Sequence, residues 1–210
     1  MFKIIENLLE KELYYKNTVI LKYTIKYPRI VNKGIGANRF NRFNYEKAVK
    51  LKHYSETELF NEAKEVYDFN VSNGYPTMVY EVVLDYTVTY NKNPIVSLYS
   101  DEYIYSGGAH GITTRSSQNW NINFGKQFSL NSLFDNNCNY VLDILKEINN
   151  QIEQQIADGS NQYFDNYCSL VINTIDLNNF YLNPDYITIF FQQYDIAPYS
   201  SGIPTFNIKK

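Results

Sequence analysis

Residues 77–90 constrain the fold more than any other stretch of the chain. Tyr80, Val82, Leu84, Tyr86, Val88 and Tyr90 alternate with Glu81, Asp85, Thr87 and Thr89. A period of two sends successive side chains to opposite faces, so this segment is a strand with one face against a core. Asn91-Lys92-Asn93-Pro94 then reads as a turn into a second strand over 95–105, giving a long antiparallel hairpin. Residues 18–27 repeat the pattern, with Val19, Leu21, Tyr23, Ile25 and Tyr27 opposite Thr18, Lys22, Thr24 and Lys26. Pro28 and the Asn32-Lys33-Gly34 cluster are expected to close that strand. Further on, Gln118, Trp120, Ile122 and Phe124 oppose Ser117, Asn119, Asn121 and Asn123, before a turn at Gly125-Lys126.

Two zones carry the helical period instead. Between Asn38 and Asn73, Phe40, Phe43, Ala48, Leu51, Leu59, Ala63, Val66 and Tyr67 recur mostly at three- and four-residue steps. Ser55-Glu56-Thr57-Glu58 has the form of a capping box, which either starts a second helix or decorates one long one. From Asp135 to Ala157, Val141, Leu145, Ile148, Ile152 and Ile156 make a single apolar stripe, ended by Gly159. A shorter helix is expected within 160–175, a buried strand over 186–192 and a last strand over 205–208. The order predicts an α+β fold, an antiparallel sheet packed against helices in two closely associated halves, since no regular β-α-β alternation is present. The halves are placed at 1–94 and 95–210.

Charge narrows the partners. The net charge is −3, and the 19 Lys and Arg residues are scattered. Nucleic acids and anionic membranes both select for clustered cations, so neither is expected as a partner. No apolar run approaches the roughly 20 residues of a membrane span. The first residues lack a basic-then-apolar signal, which places the chain in the cytoplasm if Met1 is the native start. The 21 Tyr and 13 Phe suit a sticky recognition surface, but an A/T-rich genome produces the same enrichment. Cys138 and Cys168 form no framework and are expected as free, mostly buried thiols.

The stretch with most functional content is Tyr105-Ser106-Gly107-Gly108-Ala109-His110-Gly111. Clustered glycines mark either a tight corner or a loop that admits a ligand. His110, Ser106 and Asp101 supply the residue types of a hydrolytic triad, and Glu102 adds a second carboxylate. Triad partners normally come from separate elements, however, and no Gly-x-Ser-x-Gly elbow is present. His53 and His110 are the only imidazoles, too few for a usual zinc site, so no metal and no cofactor are expected. Gly34-Ile35-Gly36-Ala37 precedes a helix and could meet an anion, although a turn is its simpler role.

Two segments together resemble a known bacterial family. Tyr103-Ile104-Tyr105-Ser106-Gly107-Gly108-Ala109-His110-Gly111 is followed by Asn121-Ile122-Asn123-Phe124-Gly125-Lys126-Gln127-Phe128-Ser129-Leu130. Later come Phe180-Tyr181-Leu182 and Phe190-Phe191-Gln192-Gln193-Tyr194-Asp195-Ile196-Ala197-Pro198-Tyr199-Ser200-Ser201-Gly202. These are similar to the extracytoplasmic domain of unknown function at the C-terminus of the anti-sigma factor RsiV, which also accompanies the peptidoglycan deacetylase PdaC. The preceding half resembles the partner domain that usually comes before it. The resemblance implies a non-enzymatic recognition module at the cell surface or outside the cell, binding a lysozyme-like protein or a cell-wall glycan. It also implies that the glycine-histidine corner and the Ile-Ala-Pro-Tyr bend shape neighbouring edges of one sheet. Candidate ligand contacts are Tyr103, Tyr105, His110, Trp120, Tyr194 and Tyr199, and the structural motif comprises Ser106, Gly107, Gly108, His110, Gly111, Pro198 and Gly202. The alternative is a hydrolase or sugar-modifying enzyme centred on His110.

Overall fold

A computed structural model describes residues 1–134, 139–160 and 162–209. Strands β1 (Ile4–Tyr15) and β2 (Thr18–Ile30) form a hairpin, and helices α1 (Ile35–Tyr54) and α2 (Phe60–Asn73) follow. Strands β3 (Tyr80–Lys92), β4 (Ile95–Tyr105), β5 (Ile112–Asn121) and the short β6 (Lys126–Gln127) come next. Then come α3 (Tyr140–Ala157), α4 (Tyr167–Thr174), β7 (Phe180–Leu182), β8 (Tyr186–Phe190) and β9 (Thr205–Lys209). Six strands lie in one sheet in the order β1-β2-β3-β4-β5-β6, and β7-β8-β9 make a second, antiparallel sheet. The fold is α+β, as the alternating and helical segments require. The chain divides into two compact units, Met1–Thr87 with Ser100–Thr114 and Ile122–Gly125, and Val88–Tyr99 with Arg115–Asn121 and Lys126–Lys210.

In the first unit, β1 was hidden from the sequence pattern because Glu6, Asn7, Glu10, Lys11 and Glu12 interrupt its apolar residues. Its pairing with β2 is antiparallel, through a two-residue turn in which Lys16 and Asn17 both take positive φ, 47° and 63°. Backbone twist of that hand suits a hairpin, and glycine usually supplies it. Pro28 does not end β2. β3 pairs with β2 only from Leu21 to Ile25, so beyond Ile25 that side of β2 is an edge where the missing N–H is harmless. The β2–β3 pairing is parallel, which makes the α1–α2 segment the crossover of a single β-α-β unit within an otherwise antiparallel plan. Ile20, Leu21, Tyr23 and Ile25 of β2 and Tyr80, Val82 and Leu84 of β3 share a core with Ala48, Leu51, Leu59 and Ala63 of the helices.

Ser55 caps no helix. Its hydroxyl donates to the Leu51 carbonyl at 2.8 Å, Thr57 does the same to His53 at 2.7 Å, and Ser55–Leu59 forms a π-helical turn between α1 and α2. Glu56 is the residue this turn serves. It accepts hydrogen bonds from Lys52 at 2.6 Å, Lys11 of β1 at 3.0 Å and the Tyr23 hydroxyl of β2 at 2.9 Å. Burial alone would raise its pKa, but the bonds from Lys52, Lys11 and Tyr23 outweigh it and hold the carboxyl at about 2.

In the second unit, α3 buries Ile144, Ile148 and Ile152 against β8 and β9, where Ile187, Ile189, Phe206 and Ile208 complete the core. The expected stripe is therefore rotated, and Ile156 is exposed. The expected start of this helix at Asp135 lies outside the described residues. Gln118, Asn119 and Trp120 of β5 are all buried, so both faces are covered at this end of the strand rather than one. Asn119 lies in a polar knot. The Ser97 hydroxyl of β4 donates to its Oδ1 at 2.7 Å, and its Nδ2 donates to the Phe180 carbonyl of β7 at 2.8 Å. The Leu182 N–H donates in turn to Ser97 Oγ at 2.8 Å. Cys168 is a free thiol and is exposed, not buried. Cys138 lies outside the described residues.

Candidate functional site

The glycine loop joins β4 to β5 in the first unit. Gly107 and Gly108 take φ of 106° and 83°, a region side chains rarely enter. Gly111 serves packing instead, because a Cβ there would lie 2.5 Å from the Ile104 carbonyl and from the Tyr103 ring. The Tyr105 hydroxyl donates to the Gly108 carbonyl at 3.1 Å, closing the loop on itself. His110 is exposed, and its Nδ1 stands 2.9 Å from the Gly111 carbonyl. Tyr103 and Tyr105 are half-buried, and Ser106 is exposed.

Asp101 and Glu102, the two carboxylates of the expected hydrolytic set, are half-buried on β4. Their charge acts on Lys47 of α1: burial pushes that ammonium's pKa down, and Glu102 and Asp101 pull it back up.

The Ile-Ala-Pro-Tyr bend belongs to the second unit, between β8 and β9 of the three-stranded sheet. The loop and the bend therefore shape different sheets, not neighbouring edges of one. Within the bend, Tyr194 takes φ of 69° and is half exposed, its ring 6.0 Å from that of Tyr199. Pro198 precedes a short 3₁₀ turn that ends at Gly202, where φ is 68°. Gln192 anchors the approach, exchanging two bonds with the Arg115 backbone at 2.9 and 2.7 Å. Burial raises the pKa of Asp195, opposed by the Gln192 N–H donated to it at 2.7 Å. Trp120 is no surface residue: it is 5% exposed and its indole N–H donates to Gln118 Oε1 at 2.9 Å. It was expected among the ligand contacts, and the end of a strand covered on both faces keeps its ring away from solvent.

The Gly34–Ala37 stretch is also settled by packing. A Cβ on Gly36 would lie 1.7 Å from the Ile122 carbonyl oxygen, and one on Gly125 would lie 2.8 Å from Gly36 Cα. The start of α1 meets the β5–β6 turn backbone to backbone, and Arg39 fixes the contact by donating to the Phe124 carbonyl at 3.3 Å. Among the described residues, no three His, Cys, Asp or Glu side chains gather where a metal ion could sit. No helix among them is long and apolar enough to cross a membrane.

A concave region that the sequence pattern does not signal lies between the β1–β2 hairpin and α1. It encloses about 450 Å³ lined by Asn7, Tyr27, Arg29, Asn41, Arg42 and Tyr45. Only the register of β1 on β2 could have revealed it, and β1 was not legible.

An α+β fold with these motifs defines a class, and comparison with known proteins specifies it further. Residues 15–113 match the family model described as deacetylase PdaC, and residues 131–210 match one described as a protein of unknown function (DUF3298). The peptidoglycan-N-acetylmuramic acid deacetylase PdaC of Bacillus subtilis is 25% identical over 171 residues, 76% of this chain. The chain spans about a third of that relative's length, 34%. A crystal structure of a DUF3298 family member from Bacteroides fragilis superposes with a TM-score of 0.74 at 18% identity, covering 99% of this chain and 90% of that one. A DUF3298 family protein from Pseudomonas aeruginosa gives 0.57 at 16% identity, covering 99% and 91%. The chain is thus similar in its first half to the PdaC family model and in its last part to DUF3298, and it shares the fold of the two solved DUF3298 proteins.

Proposed function

We propose that this chain is a non-enzymatic recognition module of a bacterial protein, acting at the cell surface or outside the cell and binding cell-wall glycan. A lysozyme-like protein is the second partner the family resemblance brings. The observation that carries the reading is the self-closure of the glycine loop. Tyr105 and His110 each direct a polar atom at the loop's own carbonyls, of Gly108 and Gly111 respectively. A loop closed on its own carbonyls keeps a fixed shape, which suits contact with a partner.

Tyr103, Tyr105 and His110 are the proposed contact residues of the first unit, and Tyr194 and Tyr199 those of the second. Trp120 is excluded by its burial. Residues 1–94 and 95–210 remain the proposed domains. The glycan reading draws on the similarity to a protein named for peptidoglycan-N-acetylmuramic acid. Titration against peptidoglycan fragments and, separately, against lysozyme is the test. Saturable binding to the fragments is expected, and silence from both partners would remove the proposal.

A further inference from the structure

We infer that the outer edge of β1 is a docking site for an extended basic segment of a protein partner, which adds to the sheet as a further strand. The inference goes beyond the glycan reading and does not rest on it. β1 ends the six-stranded sheet and has β2 on one side only. The Val31 N–H donates to the Lys3 carbonyl, and in the same register Ile5, Asn7, Leu9 and Lys11 turn their backbone groups to β2. Ile4, Glu6, Leu8, Glu10 and Glu12 therefore turn theirs outward. Among the described residues, no hydrogen bond reaches those outward groups.

Other edge stretches are closed by side chains. Asn41 exchanges bonds with the Ile30 backbone at 2.7 and 2.9 Å, on the part of β2 that β3 leaves uncovered. Gln192 does the same for Arg115 of β5, and Gln151 for Asn207 of β9 at 2.8 and 3.3 Å. On β7, Asn119 meets the Phe180 carbonyl and Ser97 the Leu182 N–H. Open edges recruit further strands, which is why folds cover them, and 12-residue β1 is left uncovered.

Charge specifies the partner. Glu6, Leu8, Glu10 and Glu12 share one face of β1 and are exposed, Leu8 at 46%. β2 sets Lys22 opposite Glu12 and Lys26 opposite Leu8, yet both lysines are engaged from the far side. Lys22 pairs with Glu81 of β3 at 2.9 Å, and Lys26 with Asp85 at 3.4 Å. This face thus runs acid, base, acid across β3, β2 and β1, and the β1 acids make no ion pair among the described residues. Opposite charges directly across a sheet stabilise and like charges destabilise, so the strand that continues the alternation is basic. A second copy fits poorly, because antiparallel pairing of two β1 strands about Leu8 sets Glu6 opposite Glu10. The antiparallel strand that fits reads Lys-x-Lys-x-Val-x-Lys, with each Lys opposite one acid and Val opposite Leu8.

The probe is the acetylated, amidated peptide Lys-Thr-Lys-Thr-Val-Thr-Lys, titrated into the full chain and followed by NMR. Saturable binding at millimolar peptide or below is expected, weakened by added salt. Combining Glu6→Gln, Glu10→Gln and Glu12→Gln should weaken it by about tenfold. N-methylation of the peptide's Lys amides, which face β1, should abolish binding. N-methylation of its Thr amides, which face away, should leave the affinity within about twofold. The three acids are exposed, and circular dichroism confirms that their variant folds. Absence of saturable binding, equal binding of a peptide with Glu in place of Lys, or binding that survives methylation of the Lys amides would each overturn the inference. So would a wild-type dimer that the peptide dissociates in sedimentation equilibrium, since the edge would then belong to a second copy.

Discussion

Replacing Gly36 by alanine should be among the most damaging single-methyl additions to this protein. The new Cβ would stand 1.7 Å from the Ile122 carbonyl oxygen, 2.7 Å from its carbon and 3.1 Å from the Gly125 nitrogen. All three atoms are backbone, so no side chain can rotate out of the way. Relief requires the start of α1 to withdraw from the β5–β6 turn, breaking the bond from Arg39 to Phe124 and exposing buried Ala37 and Phe40. Overpacking typically costs about 1–3 kcal/mol, and a collision confined to backbone belongs at the upper end, about 3 kcal/mol. For a chain of 210 residues that corresponds to about 6–12 °C in Tm. Differential scanning calorimetry of Gly36→Ala beside Asn38→Ala, an exposed position on the same helix, gives the comparison. A Gly36→Ala midpoint within about 1 °C of the wild type would refute the close approach of helix and turn.

Asn119→Ala should cost about 2–4 kcal/mol in urea unfolding, because Ser97 and the Phe180 carbonyl lose their buried partner; a loss under about 0.5 kcal/mol would mean the knot is dispensable. Glu56 has a folded pKa of about 2 against an ordinary 4.5, so its contribution is full above pH 4.5 and is lost as the pH falls towards 2. With solvent screening that contribution is about 1–2 kcal/mol, and Glu56→Gln should flatten the acid limb of the stability curve between those pH values; an unchanged acid limb would contradict the three-donor arrangement. The exposed Cys168 thiol should react with a thiol reagent in the native state, and Cys168→Ser should remove that reaction. Persistence of the fast phase in Cys168→Ser would show that the reactive thiol is elsewhere.

Much of the fold was legible because period-two and helical patterns report burial directly. β3, β4 and α3 lie close to where alternation and the isoleucine stripe put them. β1 was not legible, because its charged residues reflect an edge strand and its turn uses Lys16 and Asn17 where glycine is the usual signal. Ser55 and Glu58 have capping spacing, yet the chain there passes through a π turn whose purpose is three-dimensional, the delivery of Glu56 to Lys11 and Tyr23. Trp120 reads as a surface aromatic only if β5 has a solvent face, and neither Gln118 nor Asn119 leaves it one. The glycine loop was the correct place to expect unusual backbone, whereas the concave region beside α1 depends on cross-strand register that no local pattern encodes.

The central claim is that the chain grips cell-wall glycan without transforming it. Incubating the full chain with purified peptidoglycan and measuring both sedimentation and released acetate or sugar fragments tests this in one assay. The account predicts saturable co-sedimentation, competed by soluble fragments, with no product released. Product release at a rate that His110→Ala abolishes, or a chain that stays in the supernatant, would contradict it.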